Sequence, residues 1–235
     1  MKNKRKKFKG SPKRYHPKGI TILYEDYDIM VIEKVPGLLT VANAKESENT
    51  VASLLNNYVQ KGNPKSRKRI FIVHRLDQDT SGILIFAKNE QSKRYLQENW
   101  KEAAKTYYTV VNGQLEEKEG LLSSYLTQNS IHRVYSVDDS EAGKLSKTEY
   151  KVLKESDKYS LIEINLLTGR KNQIRVHFSE AGHPVVGDKM YGRKEKGIKR
   201  LALHAAKLSV NHPVTKERMT FETRIPAYFN SLLTQ

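Results

Sequence analysis

Short apolar runs broken by polar stretches dominate the chain. Ile20–Tyr24 and Ile29–Glu33 read as a strand pair turned at Glu25–Asp28. Val51, Leu54, Leu55, Tyr58 and Val59 fall at helical spacing, behind Asn49 or Thr50 as a cap. Ile70–Val73 and Ile83–Ala87 are rich in Ile, Val and Phe and short enough to be strands. Asn89 can cap a helix running to about Glu102. Thr106–Val111 is a strand by its β-branched and aromatic content, ended by Gly113. Leu121–Thr127, Ile131–Val137, Thr148–Lys154 and Tyr159–Leu167 read as further strands. A turn at Thr168-Gly169-Arg170 leads into a helix over Asn172–Ala181, stopped by Gly182 and Pro184. Leu201–Val210 fits a strand or a helix, Met219–Arg224 a strand, and Pro226 opens a short final helix.

Strands recurring about every dozen residues, without regular helices between them, favour antiparallel pairing over repeated βαβ units. The pattern predicts an α+β fold: a large mixed, mostly antiparallel sheet flanked by a few helices and loops. Residues 1–19 carry nine Lys or Arg and no acidic residue. Such a block reads as a flexible, RNA-contacting tail ahead of one folded domain over residues 20–235.

Charge sharpens the picture. The 235 residues hold 42 Lys+Arg against 26 Asp+Glu, a net charge of +16. An excess of this kind repels itself unless a polyanion is the partner, which makes RNA the first expectation. No stretch approaches the ~20 apolar residues of a spanning helix, so no membrane partner is expected. The basic N-terminus has no apolar core behind it and does not read as a secretory signal. With no cysteine, disulfides, thiol nucleophiles and Cys-based zinc sites are excluded. A cytoplasmic location and a monomer without an obligate protein partner are the default expectations.

The densest chemistry lies between the two central apolar runs, in His74–Gly82. A plain turn needs only Gly, Asn, Asp or Pro, yet this one holds His74, Arg75, Asp77, Asp79, Thr80 and Ser81 before Gly82 closes it. Asp77 and Asp79 are too close in sequence to flank a sugar as a glycosidase pair, so one active carboxylate is expected. Asp79 can cap the turn that follows it.

Other clusters have plainer readings beside functional ones. Lys34 stands before Val35-Pro36-Gly37 and would project from that turn. The loop Lys61–Arg69 carries five cations and can track a phosphate backbone or simply be solvated. Arg170, Arg175 and His177 gather at a predicted helix start. Arg175 can pair with a carboxylate and favour its ionised form, or lie on the surface. Tyr107 and Tyr108 alternate across their strand, so one faces inward, as core or as a ring for base stacking. The seven histidines show no HExxH and no pair four apart, so no metal site is expected and they read as structural or RNA-facing. No GxGxxG, P-loop or GxSxG occurs, which argues against a nucleotide cofactor and a serine hydrolase.

These residues also carry a family resemblance. His74-Arg75-Leu76-Asp77-Gln78-Asp79-Thr80-Ser81-Gly82 resembles the HRLDxxTSG signature of the RluA-type pseudouridine synthases. Thr168–His177, Gly182-His183-Pro184, Gly187-Asp188 and Tyr191-Gly192 resemble the family's later motif. Leu201–Ala205 and His212-Pro213 resemble its C-terminal motif, and Lys105-Thr106-Tyr107 the segment with its active-site tyrosine. The resemblance spans residues 20–228. The later motif usually reads TGRTHQIR, where Lys171 and Asn172 stand here for Thr and His. The early motif usually has Lys-Pro-x-Gly, where Val35 separates Lys34 from Pro36.

The resemblance implies isomerisation of uridine to pseudouridine within ribosomal or transfer RNA, without metal, nucleotide or organic cofactor. It implies the pseudouridine synthase fold, with a catalytic cleft across the sheet. Asp77 would be the essential carboxylate, Arg175 its partner, and Tyr107 the ring stacked on uracil and a candidate for moving the carbon-5 proton. Arg75 would fill the space the flipped base leaves, and His74, Lys34, Thr80, Arg170 and Leu203 complete the expected RNA-binding set. Many relatives carry a small RNA-binding domain ahead of the catalytic one. About 19 residues cannot fold into such a domain, so the minimal form is expected. The alternatives are a non-catalytic RNA-binding or ribosome-assembly protein of the same fold, and an RNA-acting hydrolase that releases free uracil.

Overall fold

The computed structural model describes residues 8, 10–42, 48–63, 65–193, 195–198 and 200–234. The tail cations Lys2, Lys4, Arg5, Lys6, Lys7 and Lys9 lie outside the described residues, as do Lys194 and Lys199.

Among the described residues, eleven strands form one sheet: β1 (Ile20–Glu25), β2 (Ile29–Lys34), β3 (Phe71–Ile72), β4 (Ser81–Ala87), β5 (Ala104–Asn112), β6 (Glu119–Gln128), β7 (Val134–Val137), β8 (Lys144–Glu155), β9 (Tyr159–Leu166), β10 (Leu203–Asn211) and β11 (Arg218–Glu222). The order is β1-β2-β4-β10-β5-β9-β8-β6-β7, with β3 beside β4 and β11 beside β10. Every named pair is antiparallel except β4 with β10. The helices are α1 (Val51–Gln60), α2 (Glu90–Glu98), α3 (Gln173–Glu180) and α4 (Ala227–Leu232).

Alternation across the pleat sends neighbouring residues of β2 and β4 to opposite faces. Met30, Ile32, Leu84 and Phe86 pack with Val51, Leu55 and Tyr58 of α1. Ile29, Val31, Ile83 and Ile85 pack with Leu96 of α2 on the other face. β4 is therefore buried at all seven positions, which explains its unbroken apolar run. In the other half, Ile162 and Ile164 pack on Ile174 and Phe178 of α3, while Val110 and Leu161 pack on Phe229 and Leu232 of α4. Tyr107 touches both the α1 and the α3 clusters. A cleft thus opens across the sheet where β4, β10 and β5 bring the two halves together.

Most predicted elements are present, with local differences. Thr50 rather than Asn49 caps α1, accepting from the Ser53 amide at 3.1 Å. Asn89 caps α2, which ends at Glu98 before a single 3-10 turn at Trp100–Glu102. β7 begins only at Val134, because Asn129–Arg133 forms a turn with His132 at φ +64°. Leu201–Val210 resolves as strand, in β10. Gly82 does not close a turn. It lies inside β4 at φ +117°, opposite Ala205 of β10, and a Cβ there would collide with the Ala205 carbonyl. The turn lies one step earlier, where the Thr80 amide donates to the Asp77 carbonyl at 3.2 Å. The described part of the basic N-terminal segment is not free either: Ser11 and His16 dock on Tyr58 of α1. Among the described residues no helix is long and apolar enough to cross a membrane.

Candidate active site

A cleft of about 350 Å³ is lined by Arg75, Asp77, Thr80, Tyr107, Arg170, Arg175 and Leu203, with Leu166 and Asn172 beside them. The volume suits a small ligand or one extruded nucleotide. The contributors come from four places: the loop before β4, strand β5, the start of α3 and the start of β10. Their convergence follows from the sheet order, which sets β4, β10 and β5 side by side.

Asp77 projects from the turn before β4 with its side chain about 30% exposed. Arg175 Nη1 donates to Asp77 Oδ2 at 3.3 Å. The guanidinium is itself gripped from behind. Its Nε donates to Asp188 Oδ2 at 2.6 Å and its Nη2 to Asp188 Oδ1 at 2.8 Å, the two-pronged geometry that suits an arginine–carboxylate pair. The Asp188 carboxylate is fully buried and also accepts from the Met190 and Tyr191 amides. Burial pushes the Asp188 carboxyl up, but Arg175 and those amides outweigh it and hold it below the usual carboxylate range. Asp188 and Asp77 likewise outweigh the effect of burial on Arg175 and strengthen its hold on its proton.

Asn172 adds a further brace. It stands at the N-terminus of α3 at φ +54°, a left-handed conformation that asparagine tolerates better than most residues. Its Oδ1 accepts from Arg175 Nη1 at 3.0 Å and its Nδ2 donates to the Tyr191 hydroxyl at 3.2 Å. Asparagine thus occupies a place where the resembled motif has histidine, and fills it with a backbone conformation and two hydrogen bonds. Lys171 turns outward to Gln128 and the His132 carbonyl.

Tyr107 is the inward member of the tyrosine pair. Its neighbour Tyr108 bonds Glu163 on the far side of the sheet. Burial, aided by the Asp77 charge, pushes the Tyr107 hydroxyl well above its ordinary range, so the phenol stays neutral. Thr80 and Leu203 are buried in the cleft wall, and Arg75 and Arg170 are exposed at it.

Two expected cleft residues are elsewhere. Lys34 does not project. It is fully buried at the end of β2, where Nζ donates to the carbonyls of Leu38 and Gln78 at 2.8 Å and of Val35 at 3.1 Å. It pins the 35–38 loop to the loop carrying Asp77. Burial lowers its pKa to about 8 against the pull of Asp79 and Asp77. His74 turns under the loop and stacks on Trp100 at 4.4 Å. β3 stops pairing at Ile72, and His74 Nε2 takes the Ile85 amide at 3.2 Å instead. That nitrogen must stay unprotonated, in line with a pKa that burial and Lys105 lower to about 3.

Asp79 faces away from the cleft, into a smaller hollow beside Gly37 and Arg200. His177 turns from the cleft into the sheet, between Thr148 and Ser124 at 2.9 and 3.1 Å. His204 is buried between Ser81 and Thr223, each at 2.9 Å. The sequence offers Asp188 only as one residue of the later motif, with no role of its own. Nothing local marks it as the partner of an arginine thirteen positions earlier in the chain.

Comparison with known proteins agrees with this arrangement. The sequence pattern of the RNA pseudouridylate synthase family matches residues 28–180. A protein of Bacillus subtilis named an uncharacterized RNA pseudouridine synthase is 35% identical over 221 residues, covering 91% of this chain and 71% of its own length. The ribosomal large subunit pseudouridine synthase D of Borreliella burgdorferi is 35% identical over 199 residues, and the match spans 82% of this chain and 61% of the relative. Among solved structures, human RNA pseudouridylate synthase domain containing 1 superposes with a TM-score of 0.72 at 28% identity, over 92% of this chain and 86% of that one. The chain belongs to the RNA pseudouridylate synthase family, in its RluA-type branch, and is an RNA pseudouridine synthase, an isomerase.

Proposed function

We propose that this chain isomerises specific uridines of ribosomal or transfer RNA, with Asp77 as the essential carboxylate. The observation that carries the reading is the relay Asp77–Arg175–Asp188 at the mouth of a cleft floored by Tyr107. A carboxylate that is partly exposed, paired with a cation and beside an aromatic ring can address the sugar of an extruded nucleotide. The ribosomal large-subunit names of relatives from Borreliella burgdorferi and Vibrio cholerae favour ribosomal RNA over transfer RNA.

A uridine in folded RNA must leave its stack before a side chain reaches its ribose, at a cost of a few kcal/mol. Cationic surface supplies affinity through phosphates. The Tyr107 ring offers a stacking partner, and Arg75 at the cleft edge is placed to enter the vacated space. Asp77 then acts on the sugar, by attack at the anomeric carbon or by removing a ribose proton. The bond from the anomeric carbon to N1 breaks and a bond from the same carbon to carbon-5 forms. Carbon-5 loses a proton and N1 gains one, so mass is unchanged.

The test is a transcriptome-wide pseudouridine map by carbodiimide-dependent reverse-transcription stops. It compares a parent strain, a deletion strain, and the deletion strain carrying either the wild-type gene or Asp77→Ala. Stops that vanish on deletion and return with the wild-type gene, but not with Asp77→Ala, support the reading and name the RNA. Stops restored by Asp77→Ala overturn the role given to Asp77. A map unchanged by deletion, together with no isomerisation of purified transcripts, points to the RNA-binding alternative.

A further inference from the structure

Two acid-free segments far apart in sequence meet on one face of α1. Residues 10–19 carry Lys13, Arg14 and Lys18, and residues 61–69 carry Lys61, Lys65, Arg67, Lys68 and Arg69, with no Asp or Glu in either. All eight cations are exposed, and none is paired with a carboxylate among the described residues.

The juncture is built on Tyr58. Its hydroxyl accepts from the Ser11 amide at 3.1 Å, and its carbonyl accepts from Ser11 Oγ at 2.8 Å. The His16 ring sits edge-on against the Tyr58 ring at 5.2 Å. Tyr15 packs on the α1 core and lies over Gly62, where a Cβ would come within 3.2 Å of its ring. Glu25, the nearby carboxylate, is already taken by Tyr58 and Lys88 and is buried. Lys68 lies close enough to Lys88 to weaken that lysine's hold on its proton. The exposed cations of the two segments thus flank one juncture, held together through Tyr58 and the Tyr15–Gly62 contact.

We infer that the N-terminal segment, docked on Tyr58, and the 61–69 loop form one composite surface that grips the phosphate backbone of an RNA stem beside the target uridine. A duplex fits better than a single strand. Single-strand binders present free aromatic rings to successive bases, whereas here Tyr15 is packed inward under Arg14 and His16 is engaged by Tyr58. Exposed cations without free rings read phosphates, which a duplex offers at regular spacing. The surface is also coupled to the site, since residues 61–69 run through β3 into the loop bearing Asp77. The inference rests on the RNA-modifying reading, and binding and isomerisation test the two separately.

The test measures binding of a fluorescein-labelled RNA stem-loop, and of polyuridine, across a salt series. One variant replaces Lys13, Arg14 and Lys18 with Ser, and a second replaces Lys61, Lys65, Arg67 and Lys68 with Ser. A third, Ser11→Pro, removes both hydrogen bonds to Tyr58 and leaves the charge unchanged. Each charge variant is expected to lower the salt slope by about one per cation removed and to weaken stem binding about tenfold or more. Ser11→Pro is expected to weaken stem binding as well, and to add little when combined with the first variant. Full stem affinity in Ser11→Pro overturns the docked geometry, and so do additive losses in the combination. Equal losses on polyuridine and the stem overturn the assignment to a duplex. Tritium release from carbon-5-labelled transcripts by the wild-type protein reports on the enzymatic reading alone, whatever the binding arms show.

Discussion

Arg175 is bound to Asp188 by two hydrogen bonds of 2.6 and 2.8 Å and to Asp77 by one of 3.3 Å. The buried carboxylate fixes the arginine, and the arginine presents its remaining face to the exposed carboxylate. Asp188 is thus a positioning residue for Asp77. Asp188→Asn keeps the shape but leaves a buried guanidinium short of its counter-charge. Breaking such a buried pair costs about 3–5 kcal/mol, so the urea midpoint should fall clearly. Turnover should fall further than stability explains, with the loss in kcat rather than KM once the folded fraction is accounted for. An unchanged kcat would show that Arg175 does not need this brace to serve Asp77.

Tyr107 tests whether a ring suffices. Its hydroxyl is held neutral by burial and by Asp77, so it is not a standing base. A neutral phenol can still relay a proton, giving up its own as it takes another. Tyr107→Phe should therefore bind RNA about as well as wild type and turn over poorly. A loss of about 100-fold or more is expected for a positioned proton carrier. Tritium release under single-turnover conditions measures it, and near-normal release would reduce Tyr107 to a stacking platform.

Lys34 is the reverse case, a charged residue that never meets solvent. Lys34→Met keeps its length but strands the carbonyls of Val35, Leu38 and Gln78, at about 1–3 kcal/mol for each buried group left unpaired. Its pH signature is distinctive. The folded chain gives up the Lys34 proton near pH 8, while the unfolded chain keeps it to about 10.5. In that window the unfolded state binds more protons, so rising pH favours folding through this group. The stability gap between wild type and Lys34→Met, from urea melts, should widen between pH 8 and 10. A constant gap would mean that the folded chain keeps the Lys34 proton as firmly as the unfolded chain does.

How far the sequence discloses this molecule depends on whether a feature is local. The strands of β1, β2, β5 and β9 are legible because their apolar content is local, and the caps Thr50 and Asn89 because one side chain satisfies a nearby amide. Asp77, Tyr107 and Arg175 are legible as candidates through their motifs, and the structure brings them to one cleft. The parallel pairing of β4 with β10 is not legible: it joins residues some 120 positions apart, and its one local sign, Gly82, also reads as a turn. The burial of Lys34 and His74 outside the cleft is hard to read for a related reason. A polar side chain is buried when remote groups complete its hydrogen bonds, and neither the Gln78 carbonyl for Lys34 nor the Ile85 amide for His74 is marked by spacing.

His204, with His74, makes the fold sensitive to acid. It lies at the start of β10, 1% exposed, with one ring nitrogen on Ser81 beside the Asp77 loop and the other on Thr223. Burial, and then the charge of Arg200, lower its pKa to about 4 from the ordinary 6.5. Between those values the unfolded chain takes up a proton that the folded chain refuses, so stability drops as pH falls. The stabilisation is complete above pH 6.5 and lost by about pH 4, and a shift of this size corresponds to about 3 kcal/mol. His204→Gln, which can still bond both hydroxyls, should flatten the fall in urea midpoint between pH 6.5 and 4.5 relative to wild type. His74, whose pKa is also depressed, should leave a residual slope in that variant. Because Ser81 directly follows Thr80, protonating His204 should also loosen the turn that presents Asp77. RNA isomerisation should therefore decline on the acid side before global unfolding does. Parallel acid profiles for activity and unfolding in both proteins would place the acid sensitivity outside His204.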